Sequence, residues 1–362
     1  MSDIATYIGT SSDSTTQIFD KQPWTECLAQ HSCVAFGSAE LSEEAASELR
    51  VVRTTDRGGD HGAPKKLLAS YLDTREFLKD HSPNAVIQLM RYPTHAPGVA
   101  LASRQAGVPY IGRCTGDVFH GHVHHEFPRN IAVFGLSNAI GRLPVELADK
   151  MIALGPNMKA ALSERGISAS NVEIIPPTID LSDRFYPVTN RESLRSSLGL
   201  PKDRKIALYT GRVTQMKGMD FLAEVVDKVA SELDIMFIVV GDGSYRHKLE
   251  ERFRDEIVRT IGRVPYDRID RYYKAADVYL HPSPHEGLPL SILEAQECGV
   301  PVIARLAGDI SFVTPSVADS AEEMATILRD EKYLSDRPEP KFFTKSHMFD
   351  AFDQIISDVT MA

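Results

Sequence analysis

Between residues 205 and 304 the chain alternates short apolar runs with segments whose apolar residues recur at helical spacing. The runs are KIALYT (205–210), IMFIVV (235–240), IVRTI (257–261), VYLH (278–281) and VIA (302–304), and the intervening segments are 219–233, 244–253, 269–275 and 290–298. Apolar runs this short, bounded by turn residues, read as strands buried on both faces, and the helical segments between them read as crossover connections. The pattern predicts an open parallel α/β sheet. The first half carries a fainter version, with strands expected at 84–90, 108–112, 151–154 and 172–175 and helices at 65–79 and 98–106. In the opening fifty residues a strand over 32–36 and an acidic helix over 42–49 are expected. The stretch 175–187, IPPTIDLSDRFYP, argues against a regular element and marks a linker. The expected organisation is an α/β domain at 1–180, a second at 181–345 and a final helix at 346–362.

At 362 residues the chain has room for two cores of ordinary size. With 43% hydrophobic and 25% charged residues, and only 23 Gly and 21 Pro, a disordered or collagen-like chain is excluded. The 40 basic and 50 acidic residues give a formal net charge of -10, which would repel a phosphate backbone and disfavours broad nucleic-acid binding, though not a local basic site. No apolar stretch is long enough to span a bilayer, and the first residues show neither a basic nor an apolar signal region, so a cytoplasmic protein is expected. Cys27, Cys33, Cys114 and Cys298 are scattered and are expected as reduced thiols.

Three features of the second half carry chemistry. Gly211-Arg212 comes directly off a strand and Lys217-Gly218 precedes the next helix; two cations at the carboxyl edge of a parallel sheet suit a diphosphate. Gly241-Asp242-Gly243 follows a buried strand as a tight turn. The segment 285–295, HEGLPLSILEA, follows the strand VYLH and opens a helix whose first N–H groups and dipole favour anionic oxygens. Glu286 precedes that helix and Glu294 lies about one turn inside it, a spacing that lets two carboxylates flank one ligand. Taken singly, each feature also has a plain reading: solvated loop cations, a turn, an ordinary helical glutamate.

Together, the order GRV…KG, GDG, IGRVP and EGLPLSILE followed by AQECGVPVIA resembles the retaining glycosyltransferases of family 4, which have the GT-B fold. The resemblance covers residues 205–315 closely and 149–187 more loosely. It implies two Rossmann-like domains facing across a cleft, and transfer of a sugar from a UDP-, GDP- or ADP-sugar with retained configuration. It implies no obligatory metal and no cofactor beyond that donor. Carried over, Arg212 and Lys217 match the pair that neutralises the diphosphate leaving group, Glu286 the glutamate beside the donor sugar, and Glu294 the glutamate that accepts from ribose hydroxyls. Gly211 belongs to the same loop as Arg212. Gly287, Leu288 and Pro289 lie where backbone approaches the phosphates, and Arg263 and Val264 where main chain meets the nucleobase.

The first half departs from the family pattern. No Gly-Gly pair opens the chain; Gly58-Gly59 comes far later. After VPYIG, where the family has a histidine near the donor sugar, the sequence reads Arg113-Cys114-Thr115-Gly116-Asp117-Val118-Phe119-His120, which leaves Asp117 and His120 as alternatives for that place. The run His120-Gly121-His122-Val123-His124-His125-Glu126 invites a metal reading, but its spacing on one loop does not make ligands converge, and a polar loop suited to phosphates or acceptor hydroxyls is favoured. Pro177-Thr178 stands where Asn-Gly is common. Phe349, Phe352, Ile355 and Ile356 give the last segment an apolar face, which in this fold packs back on the first domain; a peripheral membrane helix is the rival, opposed by Asp350, Asp353 and Asp358. The expected partners are a nucleotide-sugar donor and a glycan, lipid-linked or small-molecule acceptor. A nucleotide-sugar epimerase of the same fold and a non-catalytic binding protein are the competing readings.

Overall fold

A computed structural model describes residues 3–10, 19, 22–57, 62–90, 92–116, 140–178, 184–335 and 344–361. The chain divides into two compact units, Met1–Asp180 with Pro340–Ala362, and Leu181–Glu339. Asp117, His120 and the histidine run after it lie outside the described residues.

In the first unit the strands are β1 (Ile4–Tyr7), β2 (Val34–Gly37), β3 (Arg50–Arg53), β4 (Ala85–Gln88), β5 (Tyr110–Arg113), β6 (Lys150–Ala153) and β7 (Val172–Ile174). They form a parallel sheet in the order β3-β2-β1-β4-β5-β6-β7. Two of these strands were not anticipated. IATY is short and carries no extended apolar run, yet as β1 it pairs on both sides and all four residues are buried. RVVR, β3, lies at the sheet edge and is only partly covered. The acidic helix is Glu43–Glu48, capped by the Ser42 side chain accepting from the Ala45 N–H. The helix expected at 98–106 begins earlier, at Tyr92, and runs to Ala106 through Pro97. Pro97, the sixth residue of the helix, has no N–H to give the carbonyl four residues back, and a proline inside a helical pattern reads as a break, which is why the start of this helix was not read from the sequence.

The final helix, Lys345–Thr360, is capped by Thr344 and buries Met348, Phe352, Ile355, Ile356 and Val359 in the first unit's core. Phe352 meets Trp24 edge-on with centroids 5.6 Å apart. Its apolar face is therefore covered by protein. Among the described residues no helix is long and apolar enough to cross a membrane.

The second unit follows the expected alternation closely: β8 (Lys205–Thr210), β9 (Ile235–Val240), β10 (Val258–Gly262), β11 (Val278–His281), β12 (Val302–Arg305) and the short β13 (Val317–Ala318). All pair in parallel in the order β10-β9-β8-β11-β12-β13. Every residue of IMFIVV is buried. The helix Met219–Val229 turns Met219, Leu222, Val225, Val226 and Val229 toward the sheet, at i, i+3 and i+4 spacing. Because β9 and β10 extend to one side of β8 while β11, β12 and β13 extend to the other, the order reverses between β8 and β11. Crevices at the carboxyl ends of parallel strands open at such a point.

Candidate active site

The loops that leave β8 and β11 flank this reversal. The first runs through Gly211 and Arg212 to a single 3-10 turn, Gln215–Lys217, and ends at Gly218, which starts the next helix with φ 75°. A Cβ on Gly218 would lie 2.0 Å from the Pro282 carbonyl oxygen. Only glycine gives both this left-handed backbone and this approach, and the approach brings the two loops together. Across it, Lys217 Nζ donates to Glu286 Oε1 at 2.6 Å. Gly308 supports the other side: a Cβ there would fall 2.1 Å from the Glu286 carbonyl oxygen, and the Asp309 N–H donates to the Gly287 carbonyl at 2.8 Å.

His281, the last residue of β11, is 4% exposed, with Nε2 3.3 Å from Glu286 Oε1. The distance is that of an ion pair, but neither ring nitrogen has the alignment of a hydrogen bond. Burial pushes the Glu286 carboxyl upward, but the His281 imidazole and the Lys217 ammonium outweigh it and hold the carboxyl down at about 2. Glu286 is therefore an anion at any physiological pH. Arg212 is exposed, and its backbone carbonyl accepts from Tyr209 Oη at 2.8 Å. Tyr209 lies within electrostatic reach of both Arg212 and Glu286.

Glu294 lies on the helix Leu290–Glu297, which Pro289 precedes, and is 5% exposed. Its Oε1 accepts from Tyr266 Oη at 2.9 Å and its Oε2 from Tyr273 Oη at 2.7 Å; Tyr273 Oη also lies 2.6 Å from Thr210 Oγ1 at the end of β8. Gly287 and Leu288 are buried between Glu286 and this helix, while Arg263 is exposed and Val264 half-buried after β10. Lys217, Glu286 and the Gly287–Pro289 backbone thus converge, and Glu294 is reached from the same helix. Sequence reading did not single out His281, Tyr266 or Tyr273. A histidine ending a strand beside the Glu286 segment was the one visible hint; the tyrosines had none, because their role comes from packing against Glu294.

In the second unit a lysine and a glutamate are thus joined at the strand reversal of an open parallel sheet, ahead of a helix start. Residues 190–337 match the family of glycosyl transferases group 1, and residues 28–178 match the glycosyl transferase 4-like domain. The chain belongs to this family of GT-B glycosyltransferases. It is 29% identical over 212 residues to the putative teichuronic acid biosynthesis glycosyltransferase TuaC of Bacillus subtilis, covering 59% of this chain and 50% of that protein. It is 34% identical over 161 residues to a D-inositol 3-phosphate glycosyltransferase of Xylanimonas cellulosilytica, covering 41% and 38%. The chain thus spans half or less of the length of these curated relatives. In fold it is similar to sucrose-phosphate synthase from Thermosynechococcus elongatus, with a TM-score of 0.77 at 18% identity and full coverage of both chains. It is also similar to Anabaena HepE in complex with UDP-glucose, with a TM-score of 0.68 at 16% identity, covering 100% of each.

Proposed function

We propose that the chain is a retaining, metal-independent hexosyltransferase that moves a sugar from a UDP-, GDP- or ADP-sugar to a glycan, lipid-linked or small-molecule acceptor. The observation that carries this reading is the Lys217–Glu286 pair at the strand reversal of the second unit. Breaking the bond between sugar and diphosphate leaves negative charge on the departing oxygen, and fixed cations aimed at it stabilise the transition state. In this reading Lys217 and Arg212 do that work, with the backbone at Gly287 and the helix start after Pro289 as further partners for phosphate oxygens. Glu286, held as an anion, is suited to accept hydrogen bonds from sugar hydroxyls and unsuited to donate a proton. Neither glutamate is read as a nucleophile; departure and attack are read as taking place on the same face of the sugar, the leaving phosphate oxygen taking the acceptor proton. Glu294 is read as the acceptor of ribose hydroxyls. The relatives' names and the UDP-glucose complex of the Anabaena protein are in keeping with a nucleotide-sugar donor.

The test is incubation of the purified chain with labelled UDP-, GDP- and ADP-sugars and a panel of acceptors. Acceptor-dependent nucleotide release with the product anomer matching the donor is the expected result. Conversion of the sugar without acceptor would instead identify an epimerase, and binding of UDP, GDP or ADP without turnover would identify a non-catalytic relative.

A further inference from the structure

Arg113 ends β5 on the face of the first sheet that also carries Ile8, Leu89, Ile111 and Ile152; across to β6 its register partner is Ile152. A charged side chain in this apolar layer is unexpected, and here it is 2% exposed. The guanidinium lies 5.1 Å from the centroid of the Trp24 ring, and Nη2 donates to Gln22 Oε1 at 3.3 Å. Nε has no hydrogen-bond partner, and no carboxylate pairs with the group among the described residues. Burial draws its pKa down to about 9, which still leaves it cationic at neutral pH.

A cation taken out of water with no counter-ion among the described residues carries a large desolvation cost, of which an indole face and one amide oxygen recover only part. An aliphatic residue would suit the same place better. What an arginine adds is a rigid fork of donors, here with Nε unpaired, matched to the two oxygens of a carboxylate or phosphate. Its position fits a ligand: β5 adjoins β4, the order of the first sheet reverses between β1 and β4, and Arg113 stands at a carboxyl end.

We propose that Arg113 is an anion-binding residue of the first unit, taking a carboxylate or phosphate group carried by that unit's substrate, with Trp24 and Gln22 holding the guanidinium in place. That this substrate is the glycosyl acceptor rests on the transferase reading above; the binding of an anion does not.

The full chain is titrated with inorganic phosphate and, separately, with acetate, at an ionic strength held constant with chloride and with UDP present to occupy the second unit. The thermal midpoint is followed. The expected result is a saturable rise with at least one anion, with an affinity at least about tenfold weaker in Arg113→Met. A response to phosphate alone assigns a phosphate group, and a response to acetate alone assigns a carboxylate. Arg113→Met should keep or raise the anion-free midpoint, because the buried charge is gone, whereas a purely structural arginine would lower it and leave no anion dependence to lose. Arg113→Lys, which keeps the charge without the fork, should fall between the two and decides the matter if the Met variant does not fold. A natural chain that responds to neither anion, or an affinity unchanged by either substitution, overturns the proposal. UDP should stabilise the natural chain and Arg113→Met alike; no UDP effect beside an intact, Arg113-dependent anion response would overturn the donor reading and leave this one standing.

Discussion

Lys217 and Glu286 are 69 residues apart in the chain, yet their Nζ and Oε1 atoms lie 2.6 Å apart. The pair joins the loop after β8 to the loop after β11, so each side chain holds the other in place before any ligand arrives. On the proposed transferase reading, an arriving diphosphate would draw the ammonium toward its own oxygens and free Glu286 for the sugar. Lys217→Ala and Glu286→Ala should therefore each lower turnover by about 10² or more, as loss of a transition-state contact does. Steady-state kinetics with the best donor checks this, and an unchanged kcat in either variant would remove that residue from the mechanism.

Gly218→Ala tests the loop junction itself. The new methyl would strike the Pro282 carbonyl at 2.0 Å in a backbone of φ 75°. It should lower both stability and turnover, because the loops must part and the Lys217–Glu286 contact lengthens. Gly199→Ala is the control: its φ is 65° and nothing lies within 4 Å, so only the backbone penalty of about 1 kcal/mol is expected, with activity retained. Equal losses in the two variants, measured by urea unfolding and kinetics, would deny the junction its role.

Tyr273 links Glu294 to Thr210, and its ring is fully buried. Tyr273→Phe leaves both groups short of a partner and should cost about 1–3 kcal/mol of stability. Tyr266→Phe should cost less, since Tyr266 is only half-buried. If Glu294 holds the ribose, the Tyr273 variant should also weaken UDP binding by calorimetry, because the carboxylate is no longer fixed; full affinity would separate the tyrosine from the nucleotide site.

Two carboxylates pull the pH dependence of stability in opposite directions. The folded pKa of Glu286, about 2, lies below its ordinary 4.5, so its contribution is complete above that value and is lost as pH falls from about 4.5 to 2. The amount is on the order of 3 kcal/mol. Asp73 is buried, and burial outweighs Arg57, whose Nη1 donates to it at 2.8 Å, and Tyr7 at 3.1 Å; its pKa rises from 3.8 to about 6. Its contribution is complete below about 3.8 and is lost as pH rises to about 6. In a urea series from pH 2 to 7, Glu286→Gln should flatten the acid limb and Asp73→Asn should remove the decline between about 4 and 6. Slopes identical to the natural chain would refute the corresponding shift.

The second sheet was legible because its strands are buried on both faces: KIALYT, IMFIVV and VYLH carry their burial in composition, and the helices between them carry it in spacing. The positions of Arg212, Lys217 and Glu286 in the loops after β8 and β11 were legible too, since each sits at a fixed offset from one of those strands. In the first unit, IATY and RVVR were missed because four residues with threonine or arginine among them have no periodicity to read. They are strands because neighbours on the sheet supply the hydrogen bonds.

Which strand ends lie side by side is not a local property. The β8–β11 adjacency that lets Lys217 meet Glu286, the closure of His281 against that carboxylate, the tyrosines on Glu294 and the burial of Arg113 beside Trp24 all arise from sheet order and layer packing. Periodicity reports whether a residue faces inward, through the free energy of covering apolar surface. Contacts between polar groups distant in the chain depend on which inward faces come to share one interior, and that was set when the strands assembled.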